Sequence, residues 1–337
     1  MPISKKATIR DVAERAGVSH QTVSRVINLE KGVTDETRQR VLAVIAEMDY
    51  RPHAIARIMA KGSTCTFAVI APNLTDFTFA SLIDGAATHA RQNGYFVTSA
   101  SAPDPETFAR LVEELVSSRR TDGLLVINPY ADERHKYLPK DVPIVLMGAR
   151  PRSQSLASVA LDDFQGGYLA AQHLFSLGHR DIVVLSGPLE EDCTQDRLEG
   201  FRKAASEAGK ALDESYIHPG DWSATSGVQA VDHFLASGKP FSAICAQNDR
   251  MAVGAIHQLR QRGLRVPEQV SVIGFDDMPL ASYFDPPLTT IRQDILAIGR
   301  EAAALLIAVI EGKVPTSRHQ LFQAELVLRA STAPARN

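Results

Sequence analysis

Three cysteines in 337 residues, Cys65, Cys193 and Cys245, form no CxxC pair and stand near no histidine at metal-ligand spacing. So odd and scattered a set excludes a disulfide framework and a thiolate metal site; it fits buried thiols in a reducing compartment. Aromatic residues are scarce at 6%, and Trp222 is the only tryptophan. Apolar residues still make up 45%, so the core is packed with Ala, Leu and Val. No run approaches eighteen apolar residues, and the opening MPISKKATIRDVAER has no apolar stretch of the signal-peptide kind. The expectation is a cytoplasmic protein, neither exported by a standard signal nor embedded in a membrane. Catalytic signatures are also missing: there is no GxxxxGK[ST] loop, no GxSxG elbow and no HExxH helix. No cofactor and no metal is implied.

What charge there is lies unevenly. Residues 1–62 hold eleven Lys/Arg against seven Asp/Glu, a balance of +4, so the remainder carries −7 of the total of −3. A basic head on an acidic body points to a polyanion contact confined to the head, with a solvated surface patch as the plainer reading.

Thr8 precedes IRDVAERAG, with Asp11 three residues on, the pattern of a capping box with an acid in the first turn. Ile9, Val12, Ala13 and Ala16 share one face, and Gly17 supplies the stop. Ser19 then caps a second short helix, HQTVSRVIN. The three-residue turn around Gly17 is the spacing of a helix-turn-helix. A third helix starts near Thr34 (TDETRQRVLAVIAEMDY) and turns Val41, Val44, Ile45 and Met48 inward. Val23, Val26 and Ile27 face the same core from the second helix. That leaves His20, Gln21, Ser24, Arg25 and Asn28 on its outer face, spaced to line a major groove. Arginine grips guanine bidentately and glutamine does so for adenine. Thr8, Ser19, Thr34 and Tyr50 sit at helix starts or ends, where hydroxyls and free backbone amides hold phosphates. The competing reading is a three-helix protein-interaction module with a polar face.

TIRDVAERAGVSHQTVSRVIN followed by VTDETRQRVLAVIAEMDYRPHAIAR resembles the headpiece of the lactose-repressor (LacI) family, and the VSxxTVSRVxN core carries the likeness. The resemblance implies that His20, Gln21 and Arg25 read bases. Pro52 ends the third helix, and HAIARIMAKGST makes at most two helical turns before its glycine, too short to be stable alone. By resemblance this is a hinge that folds on DNA, with Met59 as the apolar wedge where a leucine is expected. A methionine in an ordinary linker is the alternative.

From Cys65 onward short β-rich runs alternate with helical stretches: TFAVIAP, YFVTSAS, GLLVIN, IVLMGA and SVALD, then DIVVLSGP, residues 216–219, FSAICAQND and QVSVIGFDD. Two series of βαβ units imply two parallel sheets with ligands at the carboxyl ends of their strands. The expected fold is α/β, a small all-α helix-turn-helix headpiece plus a two-lobed, periplasmic-binding-protein-like body with two parallel sheets. The expected boundaries are a headpiece over 1–51, a hinge over 52–62, an N-terminal lobe over 63–163 and 292–322, a C-terminal lobe over 164–291 and 323–331, and a tail over 332–337. A secreted solute receptor is the natural competitor; the helix-turn-helix and the absent leader argue against it. A sugar-metabolising enzyme is the rival from another class. Asp276 and Asp277 are imaginable as a glycosidase pair, yet as neighbours at one strand end they diverge.

The strand-end loops gather the groups that hold a sugar: an aromatic face for the C–H side of the ring, and amide, carboxylate and guanidinium groups for its hydroxyls. These are Arg197, Trp222 (in GDWSATSG), Asn248 and Asp249, Asp276, and Gln293 at the lobe crossover. Singly each has a structural alternative; Asn248 or Asp249 caps the next helix, and Arg197 is a surface residue. The body resembles the same family throughout, which places effector contacts on Arg197, Trp222, Asn248, Asp276 and Gln293. Phe79 falls where an aromatic lies beneath the ligand, or else is a core residue of its helix. Gly148 stands where the resemblance leads one to expect an aspartate, so one hydroxyl contact is missing. No heptad segment follows the last strand (QAELVLRA). The implied partners are a palindromic operator DNA, a small sugar such as a galactoside, and a second copy of the chain, with no membrane.

Overall fold

The computed structural model describes residues 7–27, 31–50, 63–150, 152, 156–313 and 317–336. They form two compact units, Met1–Thr64 and Cys65–Asn337.

In the first unit, α1 (Ile9–Ala16), α2 (His20–Ile27) and α3 (Asp35–Glu47) close on a core of Val12, Ala13, Ala16, Val23, Val26, Val41 and Val44. Thr8 and Asp11 form the reciprocal capping box, and Gly17 ends α1 in the left-handed region at φ 63°. Ser19 Oγ accepts from the Thr22 amide at 3.1 Å. The Thr34 side chain caps α3 in the same way. Ile45, Met48 and Tyr50 pack half-buried against the core.

The second unit holds two six-stranded sheets among the described residues. In the first, the order is β11 (His319–Phe322), β5 (Ala157–Leu161), β4 (Ile144–Met147), β3 (Leu124–Ile127), β1 (Thr66–Ala71) and β2 (Phe96–Ser101). In the second it is β12 (Glu325–Val327), β10 (Thr289–Arg292), β9 (Ser271–Asp276), β8 (Ala243–Ala246), β6 (Ile182–Ser186) and β7 (Ile217–Pro219). Every pairing is parallel except β10 with β12. The central strands are buried on both faces, as helix-covered parallel sheets require. The helices are α4 (Phe77–Gln92), α5 (Pro105–Ser117), α6 (Asp163–Ser176), α7 (Asp192–Glu207), α8 (Ala224–Ser237), α9 (Asp249–Gln261) and α10 (Ile295–Ile310).

The chain passes between lobes three times: after β5, after β10 and between β11 and β12. β10 ends at Arg292 inside the C-terminal sheet, so the second crossing follows Arg292 instead of preceding it. The segment read as a tail is docked. Val272 N donates to Ser331 O (2.8 Å), Ala333 N to Ser271 Oγ (3.0 Å) and Ala335 N to Leu177 O (2.8 Å), so the segment covers the start of β9, ahead of its pairing with β10.

Three helix pairs meet through reciprocal glycines. A Cβ on Gly167 of α6 would lie 2.1 Å from Arg197 O, and one on Gly200 of α7 2.0 Å from Phe164 O. Gly227 and Gly254 join α8 to α9, and Gly85 and Gly299 join α4 to α10, with the same kind of contact. Backbones this close leave no room for a methyl group.

Candidate functional site

The headpiece presents α2 as its polar helix. His20, Gln21 and Arg25 are exposed on it and make no side-chain hydrogen bond with the described residues, whereas Val23 and Val26 are fully buried. Ser24 lies between them, half-buried. Thr8, Ser19 and Thr34 spend their hydroxyls as helix caps, so what these positions offer an anion is the uncovered amides of the helix starts. Asn28 and Met59 lie outside the described residues, as does the hinge over 52–62.

In the second unit a cleft of about 780 Å³, counting its open mouth, lies between the lobes at the carboxyl ends of both sheets. All six side chains singled out from the sequence line it: Phe79, Arg197, Trp222, Asn248, Asp276 and Gln293. Fifteen further residues share the wall, and Asp76, Thr78, Asn128, Asp163, Glu191 and Arg250 are polar ones the strand-end argument did not single out.

Arg197, on the first turns of α7, is buried rather than superficial. Its Nε donates to Asp163 Oδ1 at 2.7 Å and its Nη1 to the Gln247 carbonyl, and its Cζ lies 3.6 Å from the centre of the Phe275 ring. Burial opposes its charge, but the Asp163 carboxylate more than offsets that and holds the guanidinium ionised. Only Nη2 is left without a hydrogen bond among the described residues. A buried guanidinium must be satisfied by protein, so less of the donor fork faces the cavity than the sequence suggested.

Trp222 is fixed from four sides. Its backbone is left-handed (φ 67°), and its carbonyl accepts from Asn248 Nδ2 at 3.0 Å. Its Nε1 donates to Glu191 Oε1 at 3.1 Å, and its ring lies over Gly187, where a Cβ would sit 2.0 Å from the indole. Asn248 also caps α9 through the Met251 amide (2.8 Å), so the structural alternative named for it holds alongside its place in the wall. Asp249 is not in the wall. Its carboxylate accepts from Thr290 Oγ1 (2.6 Å) and the Met278 amide (2.8 Å), and burial pushes its pKa up to about 7.

Asp276 and Asp277 turn apart, as expected of neighbours. Asp276 Oδ1 accepts from Gln293 Nε2 at 2.7 Å inside the cleft, and burial drives its carboxyl well above the ordinary range. Asp277 turns to Arg292 (2.7 Å) and Arg329 (2.6 Å). A glycosidase pair is thereby ruled out here. Asn128, Trp222 and Asp276 all line the cleft with positive φ on a non-glycine residue, strain of about 1–3 kcal/mol each that the surrounding bonds must hold.

Phe79 is half-buried, with one side on the N-terminal core and one on the cavity, so both readings of it apply. Ion pairs tie the lobes across the mouth: Arg250 to Asp76, Arg150 to Asp196 and Arg152 to Asp192. Asn128 Nδ2 adds a longer bond to Glu191 Oε2 at 3.4 Å. Of the cysteines Cys245 is buried, its thiol pushed up to about 12, while Cys65 and Cys193 are partly exposed. Among the described residues no cluster of three His, Cys, Asp or Glu is arranged to hold a metal, and no helix is long and apolar enough to cross a membrane.

Comparison with known proteins bears on both units. Residues 8–53 match the family model described as bacterial regulatory proteins, lacI family, and residues 171–332 match a periplasmic binding protein-like domain. The HTH-type transcriptional repressor PurR of Vibrio campbellii is 35% identical over 326 residues, 96% of this chain and 98% of that protein. Its namesake from Photobacterium profundum is 36% identical over 328 residues, covering 96% and 98%. Among solved structures, the lac repressor dimer bound to operator and the anti-inducer ONPF aligns with a TM-score of 0.87 at 31% identity, over 98% of this chain and 100% of that one. The transcriptional regulator CelR–cellobiose complex aligns at 0.75 and 31%, over 96% and 99%.

Proposed function

Since the chain belongs to the lacI family of bacterial regulatory proteins, a DNA-binding transcriptional repressor with a ligand-binding regulatory body, we propose that it silences carbohydrate-catabolism genes until a sugar occupies its interlobe cleft. The carrying observation is convergence: six side chains named for hydroxyl and ring recognition, the only tryptophan among them, line one cavity. Related proteins have been crystallised with ligands, one with cellobiose. The effector of this chain is a galactoside or a related saccharide. Two copies act together in the cytoplasm on a palindromic operator. His20, Gln21 and Arg25 read bases, supported by Ser24 and Asn28. The helix starts at Thr8, Ser19 and Thr34, with Tyr50, meet phosphates, and Met59 enters the minor groove. Effector binding shifts the angle between lobes, a two-state coupling of ~1–3 kcal/mol.

The test is a duplex selected from a random pool by the full chain, then titrated with saccharides. Operator release by one sugar is expected, and Arg25→Ala should cost ~1–3 kcal/mol per half-site with relaxed choice at one base. If Arg25→Ala weakened random and selected duplexes equally, α2 would not be reading bases. A second reading, in which the ligand is a corepressor, is favoured by the recurrence of relatives named PurR. A ligand that tightens DNA binding, with purine bases as the probes, would establish that sense and overturn the sugar inducer.

A further inference from the structure

Glu191 immediately precedes α7 and makes no capping bond. It turns into the cleft instead, where Oε1 accepts from Trp222 Nε1 (3.1 Å) and Oε2 from Asn128 Nδ2 (3.4 Å), with Cys193 Sγ at 3.7 Å. All three donors are neutral, and two of these contacts are long. Two other acids of the wall differ from it: Asp163 has Arg197, and Asp76 has Arg250. Glu191 and Asp276 have no ion pair of their own among the described residues. An ionised carboxylate accepts about four hydrogen bonds, so Glu191 keeps unused capacity on the cavity side.

The opposite wall has room to match it. Gly148 turns at φ 65°, and a Cβ built there would meet only Asn128 Oδ1, at 3.2 Å. Asn128 therefore touches Glu191 on one side and borders the space over Gly148 on the other. The aspartate expected at 148 is absent, and a carboxylate reaches the same neighbourhood from the facing lobe.

We infer that Glu191 is the carboxylate that grips two adjacent hydroxyls of the ligand, and that the cleft selects neutral vicinal diols and rejects sugars carrying phosphate or carboxylate. The inference rests on the reading of the cleft as a sugar site. An ionised Glu191 without an ion pair gives an entering anion repulsion, and a neutral diol offers it donors. The groups that face Glu191 fit this role. Burial raises its carboxyl above the usual range, with Glu190 adding to the rise and Arg197 opposing it, while the Trp222 and Cys193 bonds favour the ionised form. The Cys193 thiol, itself raised by burial, stays neutral. Protonation removes the charge and one acceptor site of Glu191, so the charge-assisted part of its affinity is lost as pH falls through its raised pKa.

The experiment measures binding to the full chain by Trp222 fluorescence and by calorimetry. The probes are galactose, methyl β-galactoside, lactose, cellobiose, galactose 6-phosphate and galacturonate, for wild type, Glu191→Gln and Glu191→Asp. Glu191→Gln is expected to weaken the preferred neutral sugar ~10- to 100-fold, the worth of a charge-assisted bond. It should also narrow the gap between galactose and galactose 6-phosphate, and remove part of the acid-side fall in affinity. Asp276 titrates in both proteins, so the difference between the two pH profiles reports Glu191. Glu191→Asp should restore anion rejection and the pH profile at reduced affinity, which a misfolded site would not do. If Glu191→Gln kept wild-type affinity, pH profile and anion rejection while the sugar still bound, this inference alone would fall. If none of these saccharides bound the wild type, the sugar reading would fall, and this one with it.

Discussion

The two walls of the cleft are built on different terms. The C-terminal wall is polar and already bonded within itself: Arg197 to Asp163, Asn248 to Trp222, and Trp222 to Glu191, with Asp276 held by Gln293 at the crossover. The N-terminal wall is largely apolar, made of Phe77, Phe79, Leu82, Ile127, Leu161 and Ile298. A preassembled polar wall fixes which ligand fits, because its groups do not have to be ordered on binding. An apolar wall adds contact area without direction, so it can slide over a ligand already held from the other side. Directional groups and contact area are thus supplied by opposite faces of one cavity.

The contrast breaks hardest at Arg197. Arg197→Ala strands the buried Asp163 carboxylate, and the expected loss is about 3–5 kcal/mol of body stability in urea denaturation, together with the sugar response. A loss under 1 kcal/mol would show that the polar wall is not preassembled. Phe79→Ala, on the other wall, should cost about 1–2 kcal/mol because the ring is only half-buried. Phe79→Leu should recover most of that, and a Phe79→Ala effect equal to that at Arg197 would erase the distinction between walls.

A pH series sharpens the comparison on the side of the polar lobe. Folded Asp249 titrates at about 7, above its unfolded value near 3.9. The folded state therefore holds this proton more tightly than the unfolded chain. Its contribution favours folding at low pH and is lost progressively as pH rises from about 4 to about 7. Melting of the wild type at pH 5 and pH 8, set against Asp249→Asn, should show a dependence that the variant lacks. The smallest effect belongs to the interlobe pair at the mouth. Arg250 is partly exposed, so Asp76→Asn should shift the half-releasing sugar concentration by a factor corresponding to about 0.2–1 kcal/mol, and less at high salt. An unchanged midpoint at low salt would remove the pair from the closure.

Much of this was legible in the residues. Caps at Thr8, Gly17 and Ser19 are local, written within three or four positions of each other, and the helix-turn-helix follows from them. The βαβ rhythm located the strand ends, and the groups standing there meet in one cleft. The divergence of Asp276 from Asp277 was readable from adjacency alone. What escaped notice lies in long-range pairing. Asp163 joins Arg197 across 34 residues and Asp76 joins Arg250 across 174, and no periodicity marks such partners. Glu191 stood in view in the loop after β6, but its neutral partners Trp222 and Asn128 lie far off in sequence, and nothing local marks its turn into the cavity. The strand His319–Phe322 mixes polar and apolar residues at a sheet edge, so it carried no β signature. The docking of residues 331–335 depends on partners at Leu177, Ser271 and Val272 that only the assembled lobe brings together.

The glycine contacts between helices have a consequence for how such a protein can change. The helix that carries Arg197 is registered against its neighbour by main-chain atoms, at Gly167 and Gly200. Those positions admit hydrogen and nothing larger, so they are closed to substitution unless the whole helix shifts. Arg197, bonded to Asp163 of the neighbouring helix, also ties that frame; Glu191, Gly148 and Phe79 make no such bond across it. A lineage can therefore exchange Glu191, Gly148 or Phe79 for another residue and acquire a different ligand while the geometry that reports occupancy stays the same. Inheritance of the mechanism is stored in atoms that every amino acid shares, and the freedom to respond to a new signal is stored in the atoms that differ.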